Sequence, residues 1–273
     1  MGSPDYDAGY AVTTDIRGYI YVTGFSLGDL DGLGPQINAG AWDIITLKFD
    51  WNGELNWIQQ LGTAGDDFGY AVTIDHNRHL YISGFVSGDF DGNGPDSYAG
   101  GSDIVTIKMK QNGKLVWSRQ LGVEGDDIGF GVTVDHSGAV YTTGVAFGDL
   151  DGPGPQTYKG AWDVVALKLA SNGKTQWIRQ WGTPTYDLGF NITLNRKNQI
   201  YITGQTQGDL DGSGPQTHAG DFDLFLLKFP QPQKLRIGRK DKECGFVSDS
   251  DDRRTSEVHE YAADQANQRL CQD

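Results

Sequence analysis

Gly28-Asp29-Leu30-Asp31-Gly32-Leu33-Gly34-Pro35 is the stretch of sequence on which the fold of this chain depends. It returns at residues 88–95, 148–155 and 208–215, each time 60 residues further on and each time in the frame G-D-x-D-G-x-G-P. Self-similarity at a fixed period indicates one supersecondary unit that is repeated in space. The chain therefore divides into four units, at about residues 5–64, 65–124, 125–184 and 185–240.

Each unit predicts four short β-strands. Val, Ile, Thr and aromatic residues dominate four segments per unit, which is typical of strands, and no segment within a unit has the period of a helix. In the first unit, these segments are residues 10–15, 19–25, 43–49 and 55–61. A tight turn is predicted at residues 15–18, and Asn52-Gly53 is a type I′ hairpin signal between the last two strands.

Four antiparallel strands in a unit of this length describe a propeller blade. The segments GYAVTTDIRGYIYVTGFS (residues 9–26) and WDIITLKFDWNGELNWIQQLG (residues 42–62) resemble the bacterial SBBP-type β-propeller repeat, with a strand order similar to that of NHL propellers. The resemblance covers residues 5–229 and implies an all-β β-propeller of four 60-residue, four-stranded blades. The family name implies seven blades, so closure stays open: a small ring, part of a larger propeller, or pairing with another copy.

The two ends of the chain depart from the repeat. After residue 229, prolines replace the Asn-Gly turn, which is typical of a sheet edge. Residues 241–273 predict a partly helical C-terminal extension, pinned by a disulfide between Cys244 and Cys271; two free thiols are the alternative. Residues 1–4 are interpreted as an expression-vector remnant.

Charge and composition exclude several classes of partner. The net charge is −14 and the sequence pI is about 4.6, whereas nucleic acids and anionic membranes require basic surfaces. No apolar run approaches the ~20 residues of a membrane span. A disulfide suits an oxidising compartment, so we expect a secreted or cell-surface protein, although the sequence shows no signal peptide.

The repeated acids predict structural calcium sites. Ca²⁺ takes about six to eight oxygen ligands from carboxylates and carbonyls, with glycine where the loop turns sharply. Each acidic loop supplies two aspartates, and the following strand begins with a third. The predicted ligands are Asp29, Asp31, Asp43, Asp89, Asp91, Asp103, Asp149, Asp151, Asp163, Asp209, Asp211 and Asp223. The alternative is a polar turn, in which aspartates accept hydrogen bonds from their own loop amides.

A second acidic series precedes the first strand of each unit, at Asp7, Asp67, Asp127 and Asp187. These residues would place one acid per blade near the central funnel, either to bind a cation or to accept hydrogen bonds from the turn between blades. Lys48 recurs in the third strand of every unit, and pairing with a neighbouring acid is the expected role. Trp57 is expected to pack between blades, whereas Trp42 and Trp162 are candidate ligand-binding aromatics.

Three classes of function stay open. The first is a calcium-stabilised extracellular propeller that acts as a binding, adhesion or scaffold module for a protein or glycan, with homo-oligomerisation possible. The second is a carbohydrate-binding, lectin-like propeller that uses Trp42 and Trp162. The third is a hydrolase or lyase with its site in the funnel. The sequence contains no G-x-S-x-G, H-E-x-x-H or P-loop motif, and the matching turn residues His76 and His136 are interpreted as surface side chains, so we predict no enzyme.

Overall fold

The computed structural model describes residues 2–30, 40–90, 92, 99–152, 160–210 and 221–229 of the chain. Within these ranges the protein consists of β-strands in four antiparallel sheets and contains no helix. The predicted all-β class is therefore confirmed. The C-terminal extension, with its predicted helix and with Cys244 and Cys271, lies outside the described residues.

Each sheet is a meander whose strands pair in chain order, and we number the sheets as blades 1 to 4. Blade 1 contains β1 (Asp7–Thr14), β2 (Ile20–Ser26), β3 (Asp43–Phe49) and β4 (Leu55–Leu61). Blade 2 contains β5 (Asp67–Ile74), β6 (His79–Val86), β7 (Asp103–Lys110) and β8 (Leu115–Leu121). Blade 3 contains β9 (Ile128–Val134), β10 (Val140–Ala146), β11 (Asp163–Leu169) and β12 (Thr175–Trp181). The described strands of blade 4 are β13 (Asp187–Leu194), β14 (Ile200–Thr206) and β15 (Asp223–Phe229).

The first strand of blade 1 begins at Asp7 rather than at residue 10, because the strand contains a bulge that the sequence pattern hides. The register between β1 and β2 shifts between Gly9 and Ala11. At this bulge the β1 backbone lies so close to Gly24 that an added Cβ there would sit 1.8 Å from the Ala8 carbonyl oxygen. Only glycine fits such an approach, which explains why this glycine recurs in all four units.

The blades pack face to face around their first strands. Strand β5 packs on β1 and β2, β9 packs on β5 and β6, and β13 packs on β9 and β10. One hydrophobic cluster accordingly joins residues of neighbouring blades, such as Tyr21 and Ile44 from blade 1 with Leu80 and Val105 from blade 2. This radial packing is that of a β-propeller.

Two kinds of hydrogen-bonded tie join neighbouring blades in the described residues: the first occurs at all three joints, and the second at the first two. In the first, the backbone N–H that begins a blade donates to a carbonyl of the preceding blade, as from Asp67 to Trp42 at 2.7 Å. In the second, the indole of Trp57 (3.2 Å) and the ammonium of Lys48 (3.3 Å) both donate to the Gln111 carbonyl. Trp117 and Lys108 hold the Ser171 carbonyl in the same way.

The repeated lysine has a different partner from the acid that the sequence suggests. Lys48 and Lys108 are buried, and burial lowers the pKa of both. Each bonds a backbone carbonyl of the next blade, and the Lys48 ammonium also lies 4.0 Å from the centre of the Tyr19 ring. The side chain therefore joins blades, as does Trp57.

Candidate functional site

A pocket of about 260 Å³ opens where the turns between the first and second strands of blades 2, 3 and 4 converge. Each of these blades contributes an apolar residue at the end of its first strand and a polar residue from the turn that follows. The apolar contributors are Ile74, Val134 and Leu194, and the polar contributors at the matching turn position are His76, His136 and Arg196. The corresponding residue of blade 1 is Ile16, which is 93% exposed and is not among the residues that line the pocket.

Buried acids fix the shape of these turns. Asp75 accepts the backbone N–H of His79 through Oδ1 (2.8 Å) and the Tyr81 hydroxyl through Oδ2 (2.9 Å). Asp135 makes the same bonds with Ala139 (3.0 Å) and Tyr141 (3.0 Å). Burial alone would raise the pKa of both carboxyls, but these donors outweigh it and hold both pKa values below their usual range. The turn residues next to Asp75 and Asp135 are therefore rigidly placed.

The turn side chains add hydrogen-bond donors to a lining that also includes the carboxylates of Asp75 and Asp135. The ring centroids of His76 and His136 lie 6.5 Å apart, and the guanidinium-bearing Arg196 belongs to the next blade around the axis. Imidazole and guanidinium groups above an apolar floor suit a small ligand that carries an anionic or polar group. The sequence places His76 and His136 in matching positions, but only the fold brings them next to Arg196.

At the opposite ends of these strands, a buried glutamine fixes each acidic loop. Gln60 donates to the Gly28 carbonyl (2.9 Å) and to Asp43 (3.0 Å), and its side-chain oxygen accepts the Leu30 N–H (2.9 Å). Gln120 and Gln180 repeat this arrangement in blades 2 and 3. Sequence reasoning missed these glutamines. They recur at 60-residue spacing in three units, but Lys240 occupies the position in the fourth.

The predicted calcium ligands fall into two groups in the structure. Asp43, Asp103 and Asp163 are fully buried at the start of a third strand and accept hydrogen bonds from Gln60, Gln120 and Gln180. Their counterpart in blade 4, Asp223, is half-buried. The loop acids are more accessible: Asp29 and Asp89 are exposed, and Asp149, Asp151 and Asp209 are half-buried. Asp31, Asp91 and Asp211 lie outside the described residues.

Blade 3 is the blade in which all three predicted ligands are described. There, Asp151 accepts the backbone N–H of Gln180 (3.2 Å), and Asp163 accepts the side-chain amide of the same glutamine (3.2 Å). In the part of the chain that the structure describes, no three His, Cys, Asp or Glu side chains form a group that could hold a metal ion. The calcium sites therefore stay a prediction from the loop sequences.

The second acidic series lies at the joints between blades. Asp67 accepts hydrogen bonds from Thr63, in the turn that leads from blade 1 to blade 2, and from the Ser87 N–H. Asp127 accepts the N–H groups of Val123 (2.6 Å) and Phe147 (3.1 Å). Burial raises the pKa of Asp67 and of Asp127 to about 7, although these donors oppose the shift.

The two outer members of this series make similar bonds. Asp187 is fully buried and accepts hydrogen bonds from Thr183 and Thr206. Asp7 is half-buried and accepts the Ser3 N–H (2.6 Å) and the Ser26 hydroxyl. Each of the four acids thus accepts a hydrogen bond from the segment that leads into its blade.

The two candidate ligand-binding tryptophans are half-buried and pack on other rings. Trp42 contacts Phe25 (5.0 Å between centroids), Tyr6 (5.5 Å) and Phe68 (5.8 Å). Trp162 contacts Tyr186 at 5.8 Å. Trp42 therefore belongs to an aromatic cluster within the protein, whereas Trp162 has one described ring contact.

Comparison with known proteins gives one family match and one curated relative. A profile of the family described as "SBBP: Beta-propeller repeat" matches residues 116–151. The regulatory protein FlaEY of Caulobacter vibrioides is 27% identical over 153 residues, which are 54% of this chain and 16% of FlaEY. The chain thus spans a small part of that relative.

Two enzymes of known structure have a low similarity to this chain. A catalytically inactive virginiamycin B lyase from Staphylococcus aureus, in complex with quinupristin, has a TM-score of 0.42 at 15% identity, over 84% of this chain and 58% of that one. A gluconolactonase from Xanthomonas campestris has a TM-score of 0.40 at 15% identity, over 75% of this chain and 57% of that one. The chain spans less than two thirds of either.

The packing of four meander sheets around their first strands defines a protein of the β-propeller class. One segment of the array, residues 116–151, matches the SBBP β-propeller repeat. In the described residues, no helix is long and apolar enough to span a membrane.

Proposed function

We propose that this protein is a non-catalytic binding module, secreted or at the cell surface, whose pocket at the strand turns of blades 2 to 4 takes a carboxylate-bearing ligand. The observation that supports this proposal is that His76, His136 and Arg196 line a pocket of about 260 Å³ together with the apolar residues at the ends of the first strands. That volume suits one sugar ring or one side chain. Each turn is fixed by its first residue, Asp75, Asp135 or Asn195, which accepts the N–H four residues further on, while the next position varies between blades.

The absence of catalysis is part of the proposal and has its own support. The acids with the most strongly raised pKa values, Asp67 and Asp127, accept backbone N–H bonds at the joints between blades. Those bonds have a structural role in successive blades, whereas catalysis normally requires one asymmetric group of residues. A lyase or hydrolase would need a different set of residues.

Ligand binding is tested with two probes that differ in a single group, glucuronate and glucose. We expect glucuronate to shift the amide NMR signals of the turn residues around His76, His136 and Arg196, and glucose to shift them much less. Arg196→Ala should weaken glucuronate binding by about tenfold, the loss of a charge-assisted hydrogen bond. Lys197→Ala is the matched control, because Lys197 has the same charge and lies on the same turn but does not line the pocket.

Other outcomes would separate the alternatives. Shifts that centre on Trp42 and Trp162 and are equal for both sugars would favour a lectin-like site at the acidic loops. Breakdown of a glycan or peptide by the purified protein would favour an enzyme. No shift with either probe would contradict the proposed ligand class.

We also propose that the acidic loops bind structural Ca²⁺. Support comes from the loop sequence, in which two carboxylates per blade lie two residues apart and would repel each other without a cation. An ion that binds only the folded state raises its stability, so we expect a higher melting temperature in Ca²⁺ than in EGTA. Identical melting curves would favour the polar turn instead.

A further inference from the structure

Each joint between blades follows one template. At the first joint, Gly69 of β5 packs into a recess on blade 1, where an added Cβ would lie 2.6 Å from Thr23 Oγ1 and 3.1 Å from Ile44 Cγ2. Gly129 meets Ser83 and Ile104 of blade 2 in the same way, and Gly189 meets Thr143 and Val164 of blade 3. The first strand of a blade thus fits a recess formed by the second and third strands of the preceding blade.

The outer face of blade 4 presents this recess to solvent. A pocket of about 380 Å³ lies there, lined by residues that include Thr203 and Leu224, the counterparts of Thr23 and Ile44. Leu224 is 82% exposed, whereas Ile44 is 1% exposed beneath blade 2. Phe190 and Phe222 line the same recess, so Leu224 belongs to an exposed apolar patch of the kind that marks interaction sites.

The outer face of blade 1 presents the other half of the joint. Gly9 occupies in β1 the position that Gly69 has in β5. An added Cβ at Gly9 would contact Val22 of its own blade, whereas one at Gly69 would contact the preceding blade. Val12 of β1 is 65% exposed, whereas Val72, its counterpart in β5, is 9% exposed. The first strand of the array is therefore the piece that fits the recess on blade 4.

A row of aromatic rings leads to the same conclusion. Tyr10, Tyr70, Phe130 and Phe190 occupy one position in successive blades, with centroid separations of 5.1, 5.3 and 5.7 Å. Tyr10 (55% exposed) and Phe190 (42% exposed) end the row, and in the described residues each meets a ring of the row on one side only. The next member of the row after Phe190 would be a ring in the position of Tyr10.

Groups that form the hydrogen-bonded ties of an interior joint also occur at the two ends of the array, the donor or acceptor of each tie on blade 1 and its partner on blade 4. The N–H of Asp7 and the carbonyl of Phe222 correspond to the pair that joins Asp67 to Trp42. Lys228 corresponds to the lysine that holds the turn carbonyl of the next blade, and Trp51 occupies that turn position in blade 1. The lysine and backbone groups of a joint thus belong to this chain, at opposite ends of the array, whereas the tryptophan of the second tie is replaced by Ile237 in the fourth unit.

We propose that the blade 4 face of one copy receives the blade 1 face of a second copy, in a head-to-tail joint of the kind that already joins the blades. The interface is heterologous, since different surfaces of the two copies meet. Its occupant is a second copy because the exposed recess and the strand that fits it are complementary parts of one chain. This inference does not depend on the proposed ligand or on calcium.

The test uses the full chain and two variants, Val12→Arg and Leu224→Arg, each of which places a charge on one half of the joint. Light scattering should give the unmodified chain a mass above the 29.8 kDa of a single copy, rising with concentration. Each variant alone should stay at the mass of one copy, since every possible joint would include a damaged half. Val116→Arg is the control, because Val116 is apolar and 43% exposed but lies on the fourth strand of blade 2, an interior blade that takes no part in the joint.

Mixing the two variants gives the decisive result. The intact blade 4 face of Val12→Arg and the intact blade 1 face of Leu224→Arg can form one joint, so the mixture should regain the mass of two copies. A mixture that stays at the mass of one copy would overturn the proposal, and so would an unmodified chain that stays single at all concentrations. Association that survives in either variant alone would identify a different interface. Circular dichroism melting confirms that each variant is folded.

Discussion

Ile104 and Leu224 occupy the same position in blades 2 and 4, yet Ile104 is 1% exposed and Leu224 is 82% exposed. Val72 and Val12 give the same contrast at the other side of the blade, with 9% and 65% exposure. The sequences of these positions are alike, so the difference arises from the presence or absence of a neighbouring blade. A blade in this protein is therefore stabilised largely by the blades on either side of it, as in other repeat architectures.

Truncation at the two matched positions tests this contrast and should give the largest effect. Ile104→Ala removes a side chain buried between blades and should lower the free energy of unfolding by about 2–5 kcal/mol. Leu224→Ala, measured in dilute protein, should change it by less than about 0.5 kcal/mol, because the side chain already contacts water. Urea denaturation measures both. Equal losses would show that the blade 4 face is covered even at low concentration.

The glutamine that fixes each acidic loop should give the next largest effect. Gln60→Ala removes three hydrogen bonds and leaves Asp43 buried with fewer donors, so we expect a loss of about 2–4 kcal/mol. Gln59→Ala is the matched control, since the amide of Gln59 bonds only the neighbouring Ile58 carbonyl among the contacts described. Chemical denaturation compares the two variants. A similar loss for both would mean that the loop is held in another way.

The buried acids at the interior joints predict a dependence of stability on pH. The pKa of Asp67 is raised from 3.8 to about 7 by burial, so between these values the folded state binds a proton that the unfolded state has released. The contribution of Asp67 to stability should therefore be fully present below about pH 4 and fall as the pH rises towards 7, by at most ~1.4 kcal/mol per pH unit. Denaturation at several pH values measures the slope, which Asp67→Asn should reduce.

Asp75→Asn is the control for that experiment, because the pKa of Asp75 is shifted in the opposite direction. Its contribution is present above the unfolded value of about 3.8 and is lost as the pH falls below it. The variant should leave the slope between pH 4 and 7 in place. If Asp67→Asn also left it unchanged, the raised pKa of Asp67 would be wrong.

Loss of the interior lysine tie should have the smallest effect. Lys108→Met removes the bond from the ammonium to the Ser171 carbonyl but keeps the apolar stem, so we expect a loss of about 1 kcal/mol. Lys228→Met, at the exposed end of the array, should have almost no effect in dilute protein and should weaken any association between copies. Thermal melting at low and high concentration distinguishes the two.

The strands and the repeat could be predicted from the sequence because both depend on local pattern. The third and fourth strands of blade 1 have the predicted bounds, since β-branched residues mark them directly. The predicted type I′ turn between them is wrong, because φ is positive at Gly53 (85°) but not at Asn52. The first strand begins earlier than predicted because its bulge at Gly9 depends on the approach of β2. That approach is a contact between two strands, which the residue pattern of the first strand alone does not specify.

The site could be predicted less well, for two physical reasons. Gln60 and its equivalents escaped notice because the fourth unit has a lysine in their place, so identity in all four units excludes them. The partner of Lys48 could not be predicted because it is a backbone carbonyl, which every residue possesses. The pocket could not be predicted because the position of His76 and His136 holds Ile16 in the first unit and Arg196 in the fourth, so identity in all four units excludes it.

The choice of backbone carbonyls as acceptors has a consequence for how such a protein can evolve. The carbonyls that receive the lysine and tryptophan ties belong to Gln111 and Ser171, and those that receive the first N–H of a blade belong to Trp42, Ser102 and Trp162. Side chains at these positions differ in size and polarity while the bonds are kept. After a duplication, mutation can therefore diversify the rim of each new blade without loosening its attachment to the older ones.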